Sequence, residues 1–557
     1  MPVTNLEVAQ QVALDPIEKV AERAGIPAEA LLPHGRHIAK IDLSFLQSMS
    51  SRPEGRLVLV TATTPTPAGE GKTTTTVGLA QALVRQGRRA MVCVREPSLG
   101  PVFGVKGGAT GGGWSQLLPM EAINLHFTGD LHAVTSAHNL LAAMVDNHLH
   151  QGGDPAMDPK AVRWRRVMDM NERALRNIVC GLGGKTDGVA RETGFDITAS
   201  SEVMAILALS RDLPDLKERL GRIVVGAAPD GSEVRAADLH ASGAMSVLLK
   251  DALLPNLVQT VEHGPGFVHA GPFANIAHGA SSVVATRAAL RLADIVVTEA
   301  GFASDLGAEK FFDIVSRQAG FSPSAVVLVT TVRSLKWQGG AGKDDLAKEN
   351  LAALERGLPN LQAHLDILAR FGVPVVVAVN RFASDTPAEL ERVAAAARDR
   401  GVAVAHSDVF ARGGEGGLEL ADRVVEALAG PVPALRPLYP LDARLRDKVE
   451  TIATQVYGAD GVDWDAQAAK DIEALQARGH GGLPVCMAKT QMSLSDQPDV
   501  RGRPKGFRIR VREARVSAGA GFVVAVCGPM MLMPGLPRRP AAERIDIDGD
   551  GVIQGLF

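Results

Sequence analysis

The residues best suited to chemistry form a short loop with two glycines, a lysine and a run of threonines. Residues 66–73 read Thr-Pro-Ala-Gly-Glu-Gly-Lys-Thr, between an apolar stretch at 57–61 and a helix-like pattern. In such a strand–loop–helix unit, backbone N–H groups and the helix N-terminus face nucleotide phosphates, lysine reaches the β and γ oxygens, and threonine contacts Mg²⁺. The sequence therefore predicts a nucleoside triphosphate site made of these residues: Thr66, Pro67, Ala68, Gly69, Glu70, Gly71, Lys72 and Thr73.

This loop departs from the common spacing G-x-x-x-x-G-K-[ST] at one position. The first glycine would stand at position 66, where this chain has Thr66. Pro67 beside it also removes a backbone donor. The remaining Gly-Glu-Gly-Lys-Thr, between a strand and a helix, still favours phosphate binding over a chance glycine turn.

Charged residues follow two other strand-like stretches. Arg95 and Glu96 come after Arg-Arg-Ala-Met-Val-Cys-Val, and Glu299 and Asp305 come after Asp-Ile-Val-Val-Thr. Ligands of open α/β sheets bind at the carboxyl ends of the strands. We expect Arg95 to hold a carboxylate or phosphate with its planar guanidinium, and Glu299 and Asp305 to be further contacts for Mg²⁺. With Lys72, Arg95 and Glu96 are the predicted catalytic residues.

A glycine-rich segment follows Arg95 and Glu96. Positions 104–114 contain six glycines and end in a tryptophan. This composition excludes an ordinary helix or strand interior. A flexible linker is one interpretation, but Lys106 and Trp114 are unusual in linkers, so a loop that approaches a ligand is favoured.

Apolar strand patterns alternate with helix patterns over much of the chain. This alternation predicts an α/β fold with a doubly wound, mainly parallel sheet like that of P-loop NTPases, and additional smaller α/β domains. Residues 1–118 and 244–450 are predicted to form this nucleotide-binding core. Residues 119–243 are predicted to form an inserted, mainly helical α/β domain, and residues 451–557 a C-terminal α+β domain.

Composition excludes several classes of function. The 557 residues carry a formal net charge of −3, which gives no overall attraction to nucleic acid or an anionic membrane. The four cysteines show no C-x-x-C spacing, and three histidines at 126, 132 and 138 do not share one helix face, so neither set predicts a metal site. With no signal pattern at the start and no apolar run near the ~18 residues of a membrane span, we expect a cytoplasmic protein.

Eight segments in order resemble the formate–tetrahydrofolate ligase family, from about residue 35 to the C-terminus. They read TPTPAGEGKTTTT, REPSLGPVFGVKGGATGGGW, FDITASSEVMAILAL, FVHAGPFANIAHG, VTEAGFASDLGAEKFFDI, TVRSLKWQGG, LPVCMAKTQMSLSD and MPGLPRRPAA. The family's phosphate loop also lacks the first glycine. The resemblance implies that ATP phosphorylates formate to formyl phosphate, whose carbon is then attacked by the amine at position ten of tetrahydrofolate.

The resemblance also implies roles for individual residues. Arg95 would lie at the intermediate, and the loop with Lys106, Gly107 and Gly108 would approach formyl phosphate. Phe382 and Phe410 match the family's pair of rings that stack on folate, although Phe410 replaces a tryptophan.

Four further features are implied by the resemblance alone. His126 and His269 match family histidines that accept protons or shape the site. The family also binds a monovalent cation, K⁺ or NH₄⁺, and forms tetramers. Thr110, Trp114 and Gln338 depart from the family's usual residues, which affects local geometry but not the expected reaction.

Other classes of protein explain the sequence less well. Dethiobiotin synthetases also activate a carboxylate or its analogue beside such a loop, but they are much shorter and lack the 104–114 segment. A partner-binding ATPase of the MinD type would require a membrane helix or switch surface that the sequence does not show. A pseudo-enzyme is disfavoured because Lys72, Thr73, Arg95 and Glu299 are all present.

Overall fold

A large, mostly parallel sheet organises the fold of this computed structural model, which describes residues 4–67, 69–105, 108 and 110–556. Its first strands and helices come from the N-terminal part of the chain. These elements are α1 Asn5–Gln11, α2 Ile17–Ala24, β1 Leu31–Pro33, β2 Ala39–Ile41, α3 Leu43–Ser48, β3 Arg56–Ala62, α4 Lys72–Arg85, β4 Ala90–Val94, α5 Leu99–Gly104, β5 Gly111–Gly112 and β6 Ser115–Leu118.

The next part of the chain lies outside the large sheet and contains short strands between helices. Its elements are α6 Met120–Asn124, α7 Asp130–Gln151, β7 Arg166–Met168, β8 Ile178–Cys180, β9 Arg191–Thr193, β10 Phe195–Ile197, α8 Glu202–Leu209, α9 Leu213–Arg222, β11 Val224–Ala227, β12 Glu233–Arg235 and α10 Ser242–Leu249. The six strands form two-stranded sheets with one another. The segment is thus mixed, although its longest elements are helical, as the pattern predicts.

The chain then returns to the large sheet. Its elements here are β13 Asn256–Thr260, β14 Pro265–Val268, α11 Val283–Leu292, β15 Ile295–Glu299, α12 Arg317–Ala319, β16 Ala325–Thr330, α13 Val332–Gln338, α14 Leu351–Ala369, β17 Val375–Asn380, α15 Pro387–Arg398, β18 Ala403–Ser407, α16 Val409–Arg412 and α17 Leu418–Ala427. Two π-helical turns, Ser304–Ala308 and Phe311–Ser316, precede α12.

The C-terminal part packs on this core with smaller sheets. Its elements are α18 Leu445–Gln455, β19 Val462–Trp464, α19 Ala466–Ala477, β20 Val485–Lys489, β21 Ile509–Val511, β22 Glu513–Ser517, β23 Phe522–Cys527, β24 Asp546–Ile547 and β25 Ile553–Gln554. Strand β23 pairs antiparallel with β22, as the alternating sequence predicts, and parallel with β20. The domain boundaries predicted from the sequence stay a prediction.

Strand β3, which leads into the predicted phosphate loop, lies inside the large sheet. The order is β1-β2-β13-β14-β4-β15-β3-β16-β17-β18, with β6 beside β13 and β5 beside β6. The strands from β14 to β18 in this order run parallel. Alternate residues of β3 enter two different apolar clusters, Leu57 and Leu59 in one, Val58 and Val60 in the other. Both faces are therefore covered, which explains why these strands read as continuous apolar runs.

The region 253–282 differs from its sequence-based interpretation. Its many glycines, prolines and asparagines predict a long loop, whereas the structure contains the antiparallel strands β13 and β14 there. All residues of both strands are buried. Polar side chains such as Asn256 and Gln259 are satisfied inside, since Asn256 Nδ2 donates to Asp130 Oδ2 at 2.8 Å. Composition failed here because buried partners for polar residues leave no local signal.

Helix α14 also begins later than its sequence suggests. Asp344 and Asp345 predict a start near residue 343, but they lie in a short 3₁₀ turn, and the helix begins at Leu351. The side chain of Asn350 accepts a hydrogen bond from Ala353 N at 2.9 Å and caps the helix. No helix in the described part of the chain is long and apolar enough to cross a membrane.

Candidate active site

The predicted chemical residues meet at the carboxyl edge of the parallel strands. Strand β3 leads into the phosphate loop, Arg95 and Glu96 follow β4, and Glu299 is the last residue of β15. Strand β15 lies between β3 and β4 and pairs with both. Because parallel neighbours end at the same edge, three separate stretches of sequence contribute to one site.

The phosphate loop has the backbone that its glycines predict. Gly69 and Gly71 have φ of +84° and +72°, a region that favours glycine. A Cβ at Gly71 would also lie 2.6 Å from Asn380 Nδ2. Gly71 immediately precedes α4, so Lys72 is the first residue of that helix. The predicted contact at Ala68 lies outside the described residues.

Glu70 stabilises the loop from within. Its Oε1 accepts a hydrogen bond from Thr66 N at 2.6 Å, and its Oε2 accepts one from the Thr331 hydroxyl. Asn380 Nδ2 donates to the Glu70 carbonyl at 3.1 Å. Burial raises the pKa of this carboxyl, and the hydrogen bonds from Thr331 and Thr66 oppose that shift. The Thr66 amide and the Glu70 carboxyl therefore stabilise the loop itself.

A buried histidine joins two loops of the site from behind. His364 of α14 accepts a hydrogen bond from Thr64 N at 2.9 Å through Nε2, so its Nδ1 carries the proton and donates to Ser304 Oγ at 2.7 Å. Burial lowers the pKa of His364 to about 4, which keeps the ring neutral. Asn360, one turn earlier, donates to Thr64 Oγ1 at 3.0 Å. The loops after β3 and β15 are thus tied together.

Thr73, Glu299 and Arg95 form the centre of the site. The Thr73 hydroxyl donates to Glu299 Oε2 at 2.8 Å, and Arg95 Nη2 lies 3.5 Å from Glu299 Oε1. Arg95 Nη1 donates to the Pro272 carbonyl at 3.2 Å, which fixes the guanidinium. The Glu299 side chain is 2% exposed and that of Arg95 is 20% exposed, so a ligand can still reach Arg95. A hydroxyl and a carboxylate side by side are oxygen donors of the type that Mg²⁺ prefers.

Glu96 is a buried carboxyl next to this centre. Burial raises its pKa well above the usual value, the charges of Asp130 and Asp169 raise it further, and Lys40 opposes them. Lys40 is itself paired with Asp130, Nζ to Oδ1 at 2.8 Å. These surroundings therefore disfavour a negative charge on Glu96.

Asp305, a predicted metal ligand, has a protein partner instead. Its Oδ2 lies 2.9 Å from Nζ of Lys489, and the two side chains are 2% and 0% exposed. Lys489 comes from β20, so this ion pair joins the C-terminal part to the core. Among the described residues, no group of three or more histidine, cysteine, aspartate or glutamate side chains could hold a metal ion.

We predict that Lys489→Met destabilises the protein by about 3–5 kcal/mol, because it leaves the Asp305 carboxylate buried without its partner. Chemical denaturation of the variant measures this loss of stability. Lys348→Met is the matched control, since Lys348 is 74% exposed and pairs with Asp345 at the surface. A Lys489→Met variant as stable as the control would contradict this prediction.

Only part of the glycine-rich segment can be compared with its prediction. Lys106 and Gly107 lie outside the described residues. A Cβ at Gly108 would come within 1.4 Å of Asn124 Oδ1, so Gly108 is required for close packing. Further on, Gly111 and Gly112 pair with Gln116 and Ser115 in a hairpin.

The two predicted folate-stacking rings follow neighbouring strands. Phe382 comes after β17 and Phe410 after β18, and these strands pair in parallel. Arg333 covers the Phe382 ring, with Cζ 3.7 Å from its centroid. Phe410 is 49% exposed and packs on Gly113, whose Cβ would lie 3.0 Å from the ring. An exposed ring on a glycine hairpin can receive a flat ligand.

The two predicted histidines have different surroundings. His126 is exposed in the turn between α6 and α7. His269 is fully buried, with Nδ1 2.6 Å from Ser282 Oγ and Nε2 2.7 Å from the Ala252 carbonyl. Burial lowers the pKa of His269 to about 4. Both of its ring nitrogens are used inside the fold, which suits a site-shaping role better than proton transfer.

Sequence reasoning missed several residues that position the site. They are His364, Asn360, Asn380, Thr331 and Pro272. Most are single polar residues far along the chain, without a motif. Asn360 and His364 are the exception, since their spacing of four places them on one face of a helix pattern.

Comparison with known proteins shows the family of the chain. A family model described as formate–tetrahydrofolate ligase matches residues 3–557. Proteins of that name are 57% identical over 556 residues in Symbiobacterium thermophilum, covering 100% of both chains, and 56% identical over 554 residues in Maricaulis maris, again covering 100% of both. The one from Granulibacter bethesdensis is 56% identical over 555 residues, covering 100% of this chain and 97% of its own. With the family model and these relatives spanning the chain, the protein belongs to the formate–tetrahydrofolate ligase family.

Proposed function

We propose that the protein joins formate to tetrahydrofolate in two steps, through formyl phosphate, at the site built around Thr73, Glu299 and Arg95. The overall reaction, with ATP as co-substrate, follows from membership of the family. The observation that carries the two-step proposal is the Glu299 carboxylate, which contacts both the phosphate-loop threonine and Arg95. One carboxylate thus connects a nucleotide site to an anion site.

The fold is proposed to be of the P-loop NTPase type. Strand β3, the loop with two left-handed glycines and helix α4 have the order and backbone of a phosphate-binding unit. ATP would place its phosphates at the N-terminus of α4, where the first turn of the helix and its dipole favour negative charge. Lys72 would contact the β and γ phosphates.

Mg²⁺ is proposed to bind between Thr73 and Glu299. Their oxygen atoms are already adjacent, so the donor set fits the ion. When bound, Mg²⁺ would neutralise charge on the phosphates. Asp305 is proposed to support this Mg²⁺ site without contacting the ion directly, because its carboxylate is paired with Lys489.

Arg95 is proposed to hold formate and then the mixed anhydride. A formate oxygen attacks the γ phosphorus, the bond to the β-bridging oxygen breaks, and ADP leaves with formyl phosphate formed. The planar guanidinium can bind a carboxylate and then a phosphate through two parallel hydrogen bonds. The raised pKa of Glu96 disfavours a competing negative charge beside Arg95.

The second step joins the carbon to folate. The amine at position ten attacks the formyl carbon, the bond between that carbon and the phosphate oxygen breaks, and the amine proton leaves with the inorganic phosphate that is released. Lys106, Gly107 and Gly108 are proposed to approach the intermediate, and Phe382 and Phe410 to hold the pterin. His126 and His269 are proposed to shape this region.

We predict that Phe410→Ala raises the KM for tetrahydrofolate and changes kcat little, because stacking stabilises the bound substrate and the transition state alike. Loss of one stacked ring is worth about 0.5–1.5 kcal/mol, so a rise of roughly 2- to 10-fold is expected. Steady-state kinetics with each substrate varied in turn measures it. Phe410→Trp is the control and is expected to lower this KM. A change confined to the KM for ATP would contradict the stacking role.

An omission experiment tests the proposed function. ADP formation is measured with ATP, formate and tetrahydrofolate, leaving out one substrate at a time. Product that forms only with all three present supports the ligase reaction, and transient formyl phosphate trapped with hydroxylamine supports the two-step route. ATP turnover indifferent to formate and to folate would refute the proposal. The monovalent cation and the tetramer that the family resemblance implies stay predictions.

A further inference from the structure

A short stretch outside the large sheet, residues 169–171, contacts the segment that carries Arg95. This stretch follows β7 Arg166–Met168. It faces residues 98–104, which begin three positions after Arg95 and lead into the glycine-rich segment. Two side chains, Asp169 and Asn171, make the contacts.

Asp169 holds the start of this segment with both carboxylate oxygens. Oδ1 accepts a hydrogen bond from Ser98 Oγ at 2.5 Å, and Oδ2 accepts one from Leu99 N at 2.9 Å. Ser98 is 3% exposed and makes no capping bond to its own helix, α5. Burial raises the pKa of Asp169, and both of these hydrogen bonds oppose that shift. The two bonds therefore define the turn between Arg95 and α5.

Asn171 holds the next turn. Its Nδ2 donates to the Gly100 carbonyl at 2.9 Å. The contact is close, since a Cβ at Gly100 would lie 2.4 Å from Asn171 Oδ1, and one at Gly104 would lie 2.6 Å from Asn171 Nδ2. Asn171 is 5% exposed, so its amide is buried against Gly100 and Gly104. Glycine is thus needed at two positions for the amide to fit between them.

The other side of the segment is fixed by the core. Glu96 N donates to the Ala270 carbonyl at 2.8 Å, and Arg95 Nη1 donates to the Pro272 carbonyl. Arg95 and Glu96 are thus held on one side by the hydrogen bonds to the Ala270 and Pro272 carbonyls. On the other side, the hydrogen bonds of Asp169 and Asn171 hold the residues that follow them. If one of these two sets of hydrogen bonds is lost, the turn can move and the Arg95 guanidinium changes position.

We propose that Asp169 and Asn171 are positioning residues for the formate site, which hold residues 98–104 so that Arg95 and the glycine-rich segment face the intermediate. This inference rests on the proposed function, because it assumes that Arg95 binds formate. Asp169 acts here through two hydrogen bonds and not as an acid or base. The distinction is testable because asparagine has the same shape without the charge.

The main test compares Asp169→Ala with Asp169→Asn. Alanine removes both acceptors, and misplacement of the turn is expected to lower kcat by roughly 10- to 100-fold and to raise the KM for formate, with the KM for ATP within about twofold. Asparagine can accept from Leu99 N through oxygen and donate to Ser98 Oγ through nitrogen. Its kcat is expected to stay within about threefold of the wild type.

A milder variant and a matched control keep the result interpretable if Asp169→Ala folds poorly. Ser98→Ala removes one of the two bonds, and together with Asp169→Ala it should have less than the summed effect, because both remove the same contact. Asp187→Ala is the control, since Asp187 accepts a hydrogen bond from Gly184 N at 2.6 Å in an exposed turn of the same part of the chain. This variant should leave kcat and the KM values for formate and ATP unchanged.

Three outcomes would overturn the inference. They are an unchanged kcat and formate KM in Asp169→Ala, an Asp169→Asn variant as impaired as Asp169→Ala, or equal changes in every constant that follow a loss of folded protein in a thermal melt. Failure of the proposed function is distinguishable, because the wild-type protein would then form no ADP that depends on formate. A wild type that requires all three substrates, with unaffected variants, would reject the positioning role alone.

Discussion

Replacing Arg95 with alanine is expected to lower kcat by roughly 10²–10³, the usual cost of losing one preorganised charge that stabilises a transition state. The guanidinium is the cation that lies within 3.5 Å of Glu299 at the carboxyl edge, and it is fixed by the Pro272 carbonyl. The variant also leaves Glu299 without this partner. Initial rates of ADP formation with saturating ATP, formate and tetrahydrofolate measure the effect.

Arg89→Ala provides the matched control. Arg89 directly precedes β4, at the other end of the strand that Arg95 follows, and its side chain is 68% exposed. A surface pair of this kind contributes about 0–1 kcal/mol, so its loss should not change kcat. Arg95→Lys keeps the charge but loses the planar pair of donors and should recover activity only in part. Near-normal turnover in Arg95→Ala would remove Arg95 from the mechanism.

The elements that carry the site could be predicted because they combine a strong pattern with a local cause. The apolar stretch at 57–61 lies within strand β3, Arg56–Ala62, and the helix-like pattern after the loop corresponds to α4, Lys72–Arg85. Burial on both faces of the sheet forces continuous apolar strands, and the phosphate loop requires glycine at two left-handed positions. Such constraints act within a few residues and leave a trace in the sequence.

The partners of the polar residues could not be predicted in the same way. Glu299 ends strand β15 and Asp305 follows it, yet Glu299 contacts Thr73 and Asp305 pairs with Lys489, almost two hundred residues away. Glu70 belongs to the phosphate loop, but its carboxyl is bonded to Thr66 and Thr331. Long-range pairs of this kind depend on how the chain returns to the sheet, which the spacing of residues does not encode.

The last large effect is expected for Glu299→Gln. Glutamine keeps the shape of the side chain but removes the charge that faces both Thr73 and Arg95, so kcat should fall by roughly 10²–10³. If Glu299 also contributes to the proposed Mg²⁺ site, the Mg²⁺ concentration for half-maximal rate should rise by roughly 10–100-fold. Rates are measured over a range of Mg²⁺ concentrations, and ATP binding is measured by calorimetry at the same concentrations. Together these measurements separate the fall in kcat from the weaker binding of Mg²⁺.

Asp294→Asn is the control for Glu299→Gln, because Asp294 immediately precedes the same strand at its opposite end and is 65% exposed. A double-mutant cycle then shows through which partner Glu299 acts. If it acts through the metal, Thr73→Ala should add little to Glu299→Gln, whereas Arg95→Ala should still lower the rate further. If it acts by orienting Arg95, Arg95→Ala should add little to Glu299→Gln, whereas Thr73→Ala should still lower the rate further. Normal rates and an unchanged Mg²⁺ requirement in Glu299→Gln would remove Glu299 from both steps and leave its contacts with Thr73 and Arg95 as packing alone.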